Sequence, residues 1–289
     1  MIPRLDQILE HIYDLNHRPE YIPPDPLELL APYKRTEERE IAALVVSSLS
    51  LGRAGSIVTA CRDLLSRFPS LYDTVVGKGR DEIERRCGSF YYRFFQGRDV
   101  AGLLNAAGGV IRKYGNLENC FISFLQPPFP KPADDSGYEF PIISALSGFV
   151  SQLHNAAPGI PCLLLPNPDK KSACKRLFLF LRWMVRRDAV DPGGWCGVPP
   201  HLLLVPVDTH MLRIGRCLGL TDRVQGNLKT AVEITAALRA VDPVDPVRFD
   251  FSLSRLGIHP EIKLSSIAVA VNNGSWRDGR DNPRVSSDY

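Results

Sequence analysis

Hydrophobic positions along most of this chain recur with the spacing of an α-helix. Within residues 41–49, apolar positions fall at i, i+3, i+4, i+7 and i+8, which lie on one face of a helix. Thr36 followed by Glu37 and Glu38 is typical of a helix start, and Gly52 is typical of a stop. The pattern therefore predicts a helix between Thr36 and Gly52.

The same periodicity predicts helices through the rest of the chain, and alternating strand patterns are almost absent. The further predicted helices span 57–68, 98–114, 141–155, 169–187, 209–218, 228–240 and 244–256. Proline-rich connectors at 126–132 and 158–168 separate some of them. Because residues 272–289 are polar and aperiodic, we predict an all-α domain over 1–271 followed by a disordered tail.

Composition fits a compact protein but does not select a partner. The chain has 289 residues, 44% of them hydrophobic, and a net charge of +3. This weak basic excess permits a local phosphate-binding patch without requiring one. The seven cysteines form no C-x-x-C pair, which favours reduced thiols over a disulfide framework or a zinc ribbon.

Neither the start of the chain nor its most apolar run predicts a membrane or export signal. No basic and then apolar leader opens the sequence, and residues 177–185 are too few to span a bilayer. We expect a soluble, cytoplasmic monomer that does not associate with membranes.

Charged residues in the predicted helix 169–187 are unevenly distributed. At 100° per residue, Lys171, Lys175, Arg182 and Arg186 form one narrow stripe opposite an apolar face. The remaining surface is also largely apolar, so we expect the helix to be central and its basic stripe to face a cleft. The alternative is that these long side chains simply reach solvent at the edge of the fold.

A carboxylate stands at the start of the next predicted helix. Pro206 interrupts an apolar run, Asp208 follows at the N-cap position, and Gly219 ends the helix. Helix capping alone accounts for Asp208, but a capping carboxylate can also face a cleft.

The segment Val207-Asp-Thr-His210 with its following helix resembles the catalytic-aspartate segment of the helix-hairpin-helix, endonuclease III-like DNA glycosylases. A wider resemblance, from about residue 25 to 257, is to an uncharacterised bacterial family related to these enzymes. It includes Tyr92-Arg-Phe94, the run from Ser172 to Leu177 and Phe251-Ser-Leu-Ser-Arg-Leu-Gly257. The resemblance implies a two-lobed helical glycosylase-like fold, a cleft between the lobes and double-stranded DNA as partner.

The resemblance implies a catalytic lysine but leaves its position open. Counting from Leu165-Pro166, where the glycosylase hairpin motif starts, the lysine is Lys171. The Ser-Ala-Cys-Lys segment and the spacing of 33 residues to Asp208 favour Lys175, as in archaeal 8-oxoguanine glycosylases. Asn-Pro-Asp replaces the glycines of that hairpin at 167–169, which puts a standard backbone contact with DNA phosphate in doubt.

The resemblance and the local chemistry together assign DNA-contacting residues. Tyr92, in an aromatic-rich segment, is expected to stack on a base, although core packing is the alternative for such aromatics. The residues assigned to DNA contact are Arg93, Arg182, Arg186, His210 and Arg213.

The predicted function is a bifunctional DNA glycosylase and abasic-site lyase, and the archaeal resemblance adds oxidised guanine as its base. One alternative is a nucleic-acid-binding protein without base excision, and another is an enzyme of nucleosides or small glycosides. We expect no cofactor and no metal, since no histidines have metal-ligand spacing and no cysteine follows Cys217 to hold an iron–sulfur cluster.

Overall fold

A computed structural model describes residues 5–127, 140–170 and 174–256. Helices form nearly all of its regular structure, as the periodicity predicts. They are α1 (Leu5–Asn16), α2 (Thr36–Leu49), α3 (Ala54–Ser66), α4 (Arg80–Cys87), α5 (Gly97–Tyr114), α6 (Leu117–Ile122), α7 (Pro141–Ala156), α8 (Lys175–Val185), α9 (Thr209–Cys217), α10 (Leu228–Arg239) and α11 (Asp250–Leu256). Strands β1 (Tyr91–Tyr92) and β2 (Phe95–Gln96) pair antiparallel in a hairpin.

The centre of the fold is the packing of α2 against α8. From Glu40 onwards in α2 and from Leu177 onwards in α8, nearly every position is buried, and most of these positions are apolar. Helix α5 packs on α2, α4, α6 and α7, and so extends this core. The prediction that α8 is a central helix is confirmed.

The two ends of the described chain meet. Helix α1 packs against α11, and α11 also packs against α9. Helix α9, which Asp208 precedes, is therefore connected to α1 through α11. None of the described helices is long and apolar enough to cross a membrane.

Helix boundaries agree with the sequence pattern where local signals are strong. Helix α2 begins at Thr36, and α5 has a capping box in which Gln96 and Asp99 satisfy each other's backbone amides. The short helices α1, α4 and α6 were not predicted. Residues 272–289, with the end of the predicted 1–271 domain, lie outside the described residues.

The prediction of one continuous helix over 169–187 is wrong. Pro168–Lys170 forms a separate short 3₁₀ turn, and α8 begins only at Lys175 after Cys174 in a left-handed conformation. Asp169 does not cap α8, because its carboxylate accepts a hydrogen bond from Ser147 of α7 at 2.7 Å. The predicted helix 244–256 is likewise divided, into a 3₁₀ turn at Pro246–Phe249 and α11.

Candidate active site

Lys175 and Asp208 meet although 33 residues separate them in sequence. Lys175 Nζ donates a hydrogen bond to Asp208 Oδ2 at 3.1 Å. Their side chains are 33% and 30% exposed, so the pair is open to solvent on one side. Two of the three residues assigned to catalysis, Lys175 and Asp208, therefore form one contact that an approaching ligand can reach.

Each member of the pair stands at the beginning of a helix. Lys175 is the first residue of α8, and Asp208 is the N-cap of α9. Asp208 Oδ1 accepts a hydrogen bond from the Met211 backbone N–H at 2.8 Å, so capping uses one oxygen and Lys175 the other. The capping and cleft-facing interpretations of Asp208 are therefore compatible.

The electrostatics of the pair favour an ionised aspartate. Burial raises the pKa of Asp208. The Lys175 ammonium and the Met211 N–H lower it by more than burial raises it, so the pKa of Asp208 lies below its usual value. His210 contributes in the same direction. Asp208 is consequently a carboxylate at neutral pH, as the stabilisation of a nearby positive charge requires.

Arg176, the neighbour of Lys175, holds the start of α8 in place. Its guanidinium donates to the backbone carbonyls of Ser48, at the end of α2, and of Leu163. Burial lowers the pKa of Arg176. No sequence motif indicates this role, because the acceptors are distant backbone carbonyls.

The prediction that Arg182 and Arg186 contact DNA is wrong. They are 3% and 4% exposed and belong to a buried charge cluster, which consists of Arg182, Arg186, Asp188, Asp191, Asp245 and Asp250. Arg182 Nη2 lies 2.9 Å from Asp191 Oδ1 and also pairs with Asp250. These donors are occupied within the protein, so neither arginine is available to a phosphate.

The buried charge cluster keeps its arginines charged. Burial lowers the pKa of Arg182, but Asp191 and Asp250 raise it by more, so the pKa lies above its usual value. Arg186 donates to Asp245 at 3.0 Å, to Asp188 at 2.7 Å and also to Asp191. The cluster ties α8 to the loop that follows it and to the beginning of α11.

Tyr92 does not stack on a base in this conformation, so that assignment is wrong. It is 9% exposed, and its hydroxyl donates to the Leu51 carbonyl at 2.9 Å. Side chains alternate along the hairpin, so Tyr92 and its partner Phe95 both face the core. Core packing, the alternative considered for this segment, is what the structure contains.

Two other aromatics of the hairpin face outwards: Tyr91 by strand alternation, and Phe94 because it lies in the turn. Tyr91 is 70% exposed and Phe94 is 66% exposed. Arg93 has φ of 55° at the turn, and its guanidinium lies 5.6 Å from the Phe94 ring centre. The exposed aromatic and basic surface of this hairpin therefore consists of Tyr91, Arg93 and Phe94.

The remaining predicted contacts are accessible or not described. Arg93, His210 and Arg213 are all exposed. Lys171, the alternative catalytic lysine, lies outside the described residues. Across the described ranges, no three His, Cys, Asp or Glu side chains are placed to hold a metal ion.

The fold and site define an all-α protein with a partly exposed lysine–aspartate pair at two helix starts. Residues 25–259 match the model of a family described as a protein of unknown function, DUF2400. Since this match covers most of the chain, the protein belongs to that family. No curated protein and no solved structure matches the chain.

Proposed function

We propose that this protein is a DNA glycosylase with abasic-site lyase activity, and that Lys175 and Asp208 are its catalytic residues. The main observation that supports this proposal is the 3.1 Å contact between Lys175 Nζ and Asp208 Oδ2. A nucleophilic amine and an ionised carboxylate that share one solvent-accessible point can both reach the same sugar carbon. The glycosylase-like, two-lobed arrangement and duplex DNA as the substrate belong to the same proposal.

The first chemical step breaks the bond between the base and the sugar. A base buried in the duplex must be extruded before side chains can reach the sugar. As the N-glycosidic bond breaks, positive charge develops on the sugar, and the Asp208 carboxylate stabilises it. The Lys175 ammonium first passes one proton to the departing base. The neutral amine that results then bonds to C1′, which leaves this nitrogen with two protons and a positive charge.

The second step opens the sugar and breaks the strand. Ring opening leaves a protonated Schiff base between Lys175 and C1′ and transfers a proton to O4′. Loss of a C2′ proton then expels the 3′ phosphate by elimination. The protein supplies no oxidant or reductant for either step.

The ion pair between Lys175 and Asp208 must open before the lysine can attack. Both side chains are about one-third exposed. Partly exposed pairs of this kind are worth roughly 1 kcal/mol or less. Opening the contact is therefore a small part of the barrier.

The hairpin supplies the aromatic contact that Tyr92 does not. Tyr91 and Phe94 present exposed rings, and Arg93 sits between them at the turn. Base stacking on an aromatic side chain contributes about 1–3 kcal/mol per base. We assign Tyr91 and Phe94 to contact with unstacked bases and Arg93 to phosphate.

Borohydride trapping on duplexes that contain an abasic site or an oxidised guanine tests the proposal. Wild-type protein is expected to form a covalent adduct, and Lys175→Gln is expected to form none. Asp208→Asn keeps an oxygen that accepts from Met211 N–H but lacks the charge, so it should lose base excision while it still traps a preformed abasic site.

Lys171→Gln is the matched control, because it removes the other candidate lysine. An adduct that survives Lys175→Gln but disappears in Lys171→Gln would assign the nucleophile to Lys171. Equal trapping by all three proteins would refute a lysine mechanism at either position.

A second candidate function is nucleic-acid binding without excision. The turn before α8 favours it, since Asn167 and Pro168 stand where the related enzymes carry glycines, and the Asn167 side chain occupies the Asp169 N–H. This candidate predicts duplex binding without any trapped adduct.

A further inference from the structure

Two exposed arginines, Arg213 and Arg216, lie on the same short helix, α9. Nothing in the described part of the chain forms an ion pair with either of them. Other exposed arginines, such as Arg18 and Arg53, also lack a carboxylate partner. What distinguishes the two α9 arginines is that they lie together beside a hollow, where their guanidinium donors can reach a ligand.

These arginines share one face of α9. Residues 209, 212, 213, 216 and 217 recur at helical spacing, and neighbours three apart have Cβ atoms about 5–6 Å from each other. The opposite face, with Met211 and Ile214, is buried. Arg213 and Arg216 are thus held side by side and directed away from the core.

The exposed face of α9 borders a shallow hollow. Its volume is about 430 Å³, and Thr209, Leu212, Arg213, Arg216 and Cys217 line it. The lining combines two permanent positive charges with the Thr209 hydroxyl and contains no carboxylate. Such a lining suits an oxyanion with several acceptor oxygens.

The hollow lies next to the lysine–aspartate pair. Asp208 caps α9 and Thr209 is its first residue. At 1.5 Å per residue, Arg216 lies about 12 Å along the helix from Asp208. A strand that placed one nucleotide at Asp208 would run its following phosphates along this face.

We propose that this face of α9 is a phosphate clamp, in which Arg213 and Arg216 bind the backbone of duplex DNA. The clamp rests on the proposed function for its ligand and adds Arg216, which the sequence did not single out. Arg213 and Arg216 act by charge and hydrogen bonding to phosphate, and so contribute affinity without base specificity.

Salt dependence of binding to an undamaged, labelled duplex tests the clamp. Each phosphate contact contributes about 0.9 to the slope of log affinity against log salt. Arg213→Gln and Arg216→Gln should each reduce that slope by about one, so that the affinity lost between 50 and 200 mM salt shrinks roughly 3- to 4-fold per variant. The double variant should show both reductions.

Arg85→Gln is the matched control, because Arg85 is 68% exposed but paired with Glu82. It should keep the wild-type slope. If the α9 variants match wild type and Arg85→Gln, or if the wild type binds no duplex, the clamp is refuted. Tighter binding to the single strand than to the duplex would refute the assignment to duplex DNA.

Trapping the same protein samples with borohydride separates the two proposals. If the wild type forms the adduct but the slope of log affinity against log salt is unchanged in both arginine variants, only the clamp is refuted. If the slope depends on the two arginines but no adduct forms, the lyase activity is refuted and the clamp is supported.

Discussion

The two ends of α8 carry the same type of charge in opposite environments. At the beginning, Lys175 is one-third exposed and contacts one carboxylate, Asp208, at the surface. Two turns further on, Arg182 is 3% exposed and contacts Asp191 and Asp250 inside the protein. Seven residues separate the two cations, so they point in nearly the same direction from the helix axis.

The contrast shows what burial does to a basic side chain. An unpaired charge in the interior is costly, so the inner arginine is held by carboxylates that fully occupy it. The outer lysine has one partner, and water or a ligand can replace that partner. Chemistry is therefore possible at Lys175, while Arg182 serves the packing of α8 against its neighbours.

The largest change in the free energy of unfolding should come from a substitution at the buried end of α8. Arg182→Met keeps most of the side-chain volume, but it removes the arginine that pairs with Asp250 and leaves Asp191 with Arg186 alone. Breaking a buried pair in this way typically costs about 3–5 kcal/mol. Urea unfolding should show this loss, and Arg182→Lys, which keeps the charge, should lose less. A loss below about 1 kcal/mol for Arg182→Met would mean that the cluster contributes little.

Glu40 on α2 extends the contrast, since it is a buried carboxyl group that pairs with no cation among the described residues. Its carboxylate accepts from the Leu117 N–H at 2.9 Å and from Trp195 Nε1 at 3.0 Å. Burial raises the pKa of Glu40 to about 7, although these donors oppose the rise. N–H groups alone thus compensate burial less well than the combination of the Lys175 ammonium and the Met211 N–H, which lowers the pKa of Asp208.

A raised carboxyl pKa in the folded state makes stability fall as the pH rises. The folded protein binds the Glu40 proton up to about pH 7, whereas the unfolded chain releases it near 4.5. At 1.36 kcal/mol per unit, Glu40 should cost about 3 kcal/mol of stability between those values.

Urea unfolding of wild type and Glu40→Gln at several pH values measures this effect. The free energy of the wild type relative to the variant should decrease from pH 4.5 to 7.5. A difference that stays constant across this range would contradict the raised pKa.

The smallest change in the free energy of unfolding should come from a substitution at the exposed end of α8. Lys175→Gln removes a partly exposed ion pair, so the free energy of unfolding should change by about 1 kcal/mol or less. The same variant is expected to abolish the borohydride adduct. A loss of several kcal/mol would place Lys175 with the structural charges instead, and would remove the contrast between the two ends of α8.

Sequence patterns predicted the helices that have strong local signals and missed boundaries that depend on distant contacts. Helix α2 follows from its periodicity and its acidic first turn, and helix α5 follows from its periodicity. The start of α8 did not follow, because Asp169 is held by Ser147 of another helix. In the site, Lys175 and Asp208 were both named from sequence, but the partners of Arg182 were not.

The residue pattern was sufficient to predict an all-α protein and to name Asp208, Lys175 and Lys171 as candidate catalytic residues, because helical periodicity and a short motif are local properties of the chain. Which basic residues of α8 are open and which are buried depends on long-range packing. Periodicity gives the direction of a side chain around its helix but not what packs there. The carboxylate of Asp250, 68 residues beyond Arg182, occupies the position where the sequence had suggested a cleft.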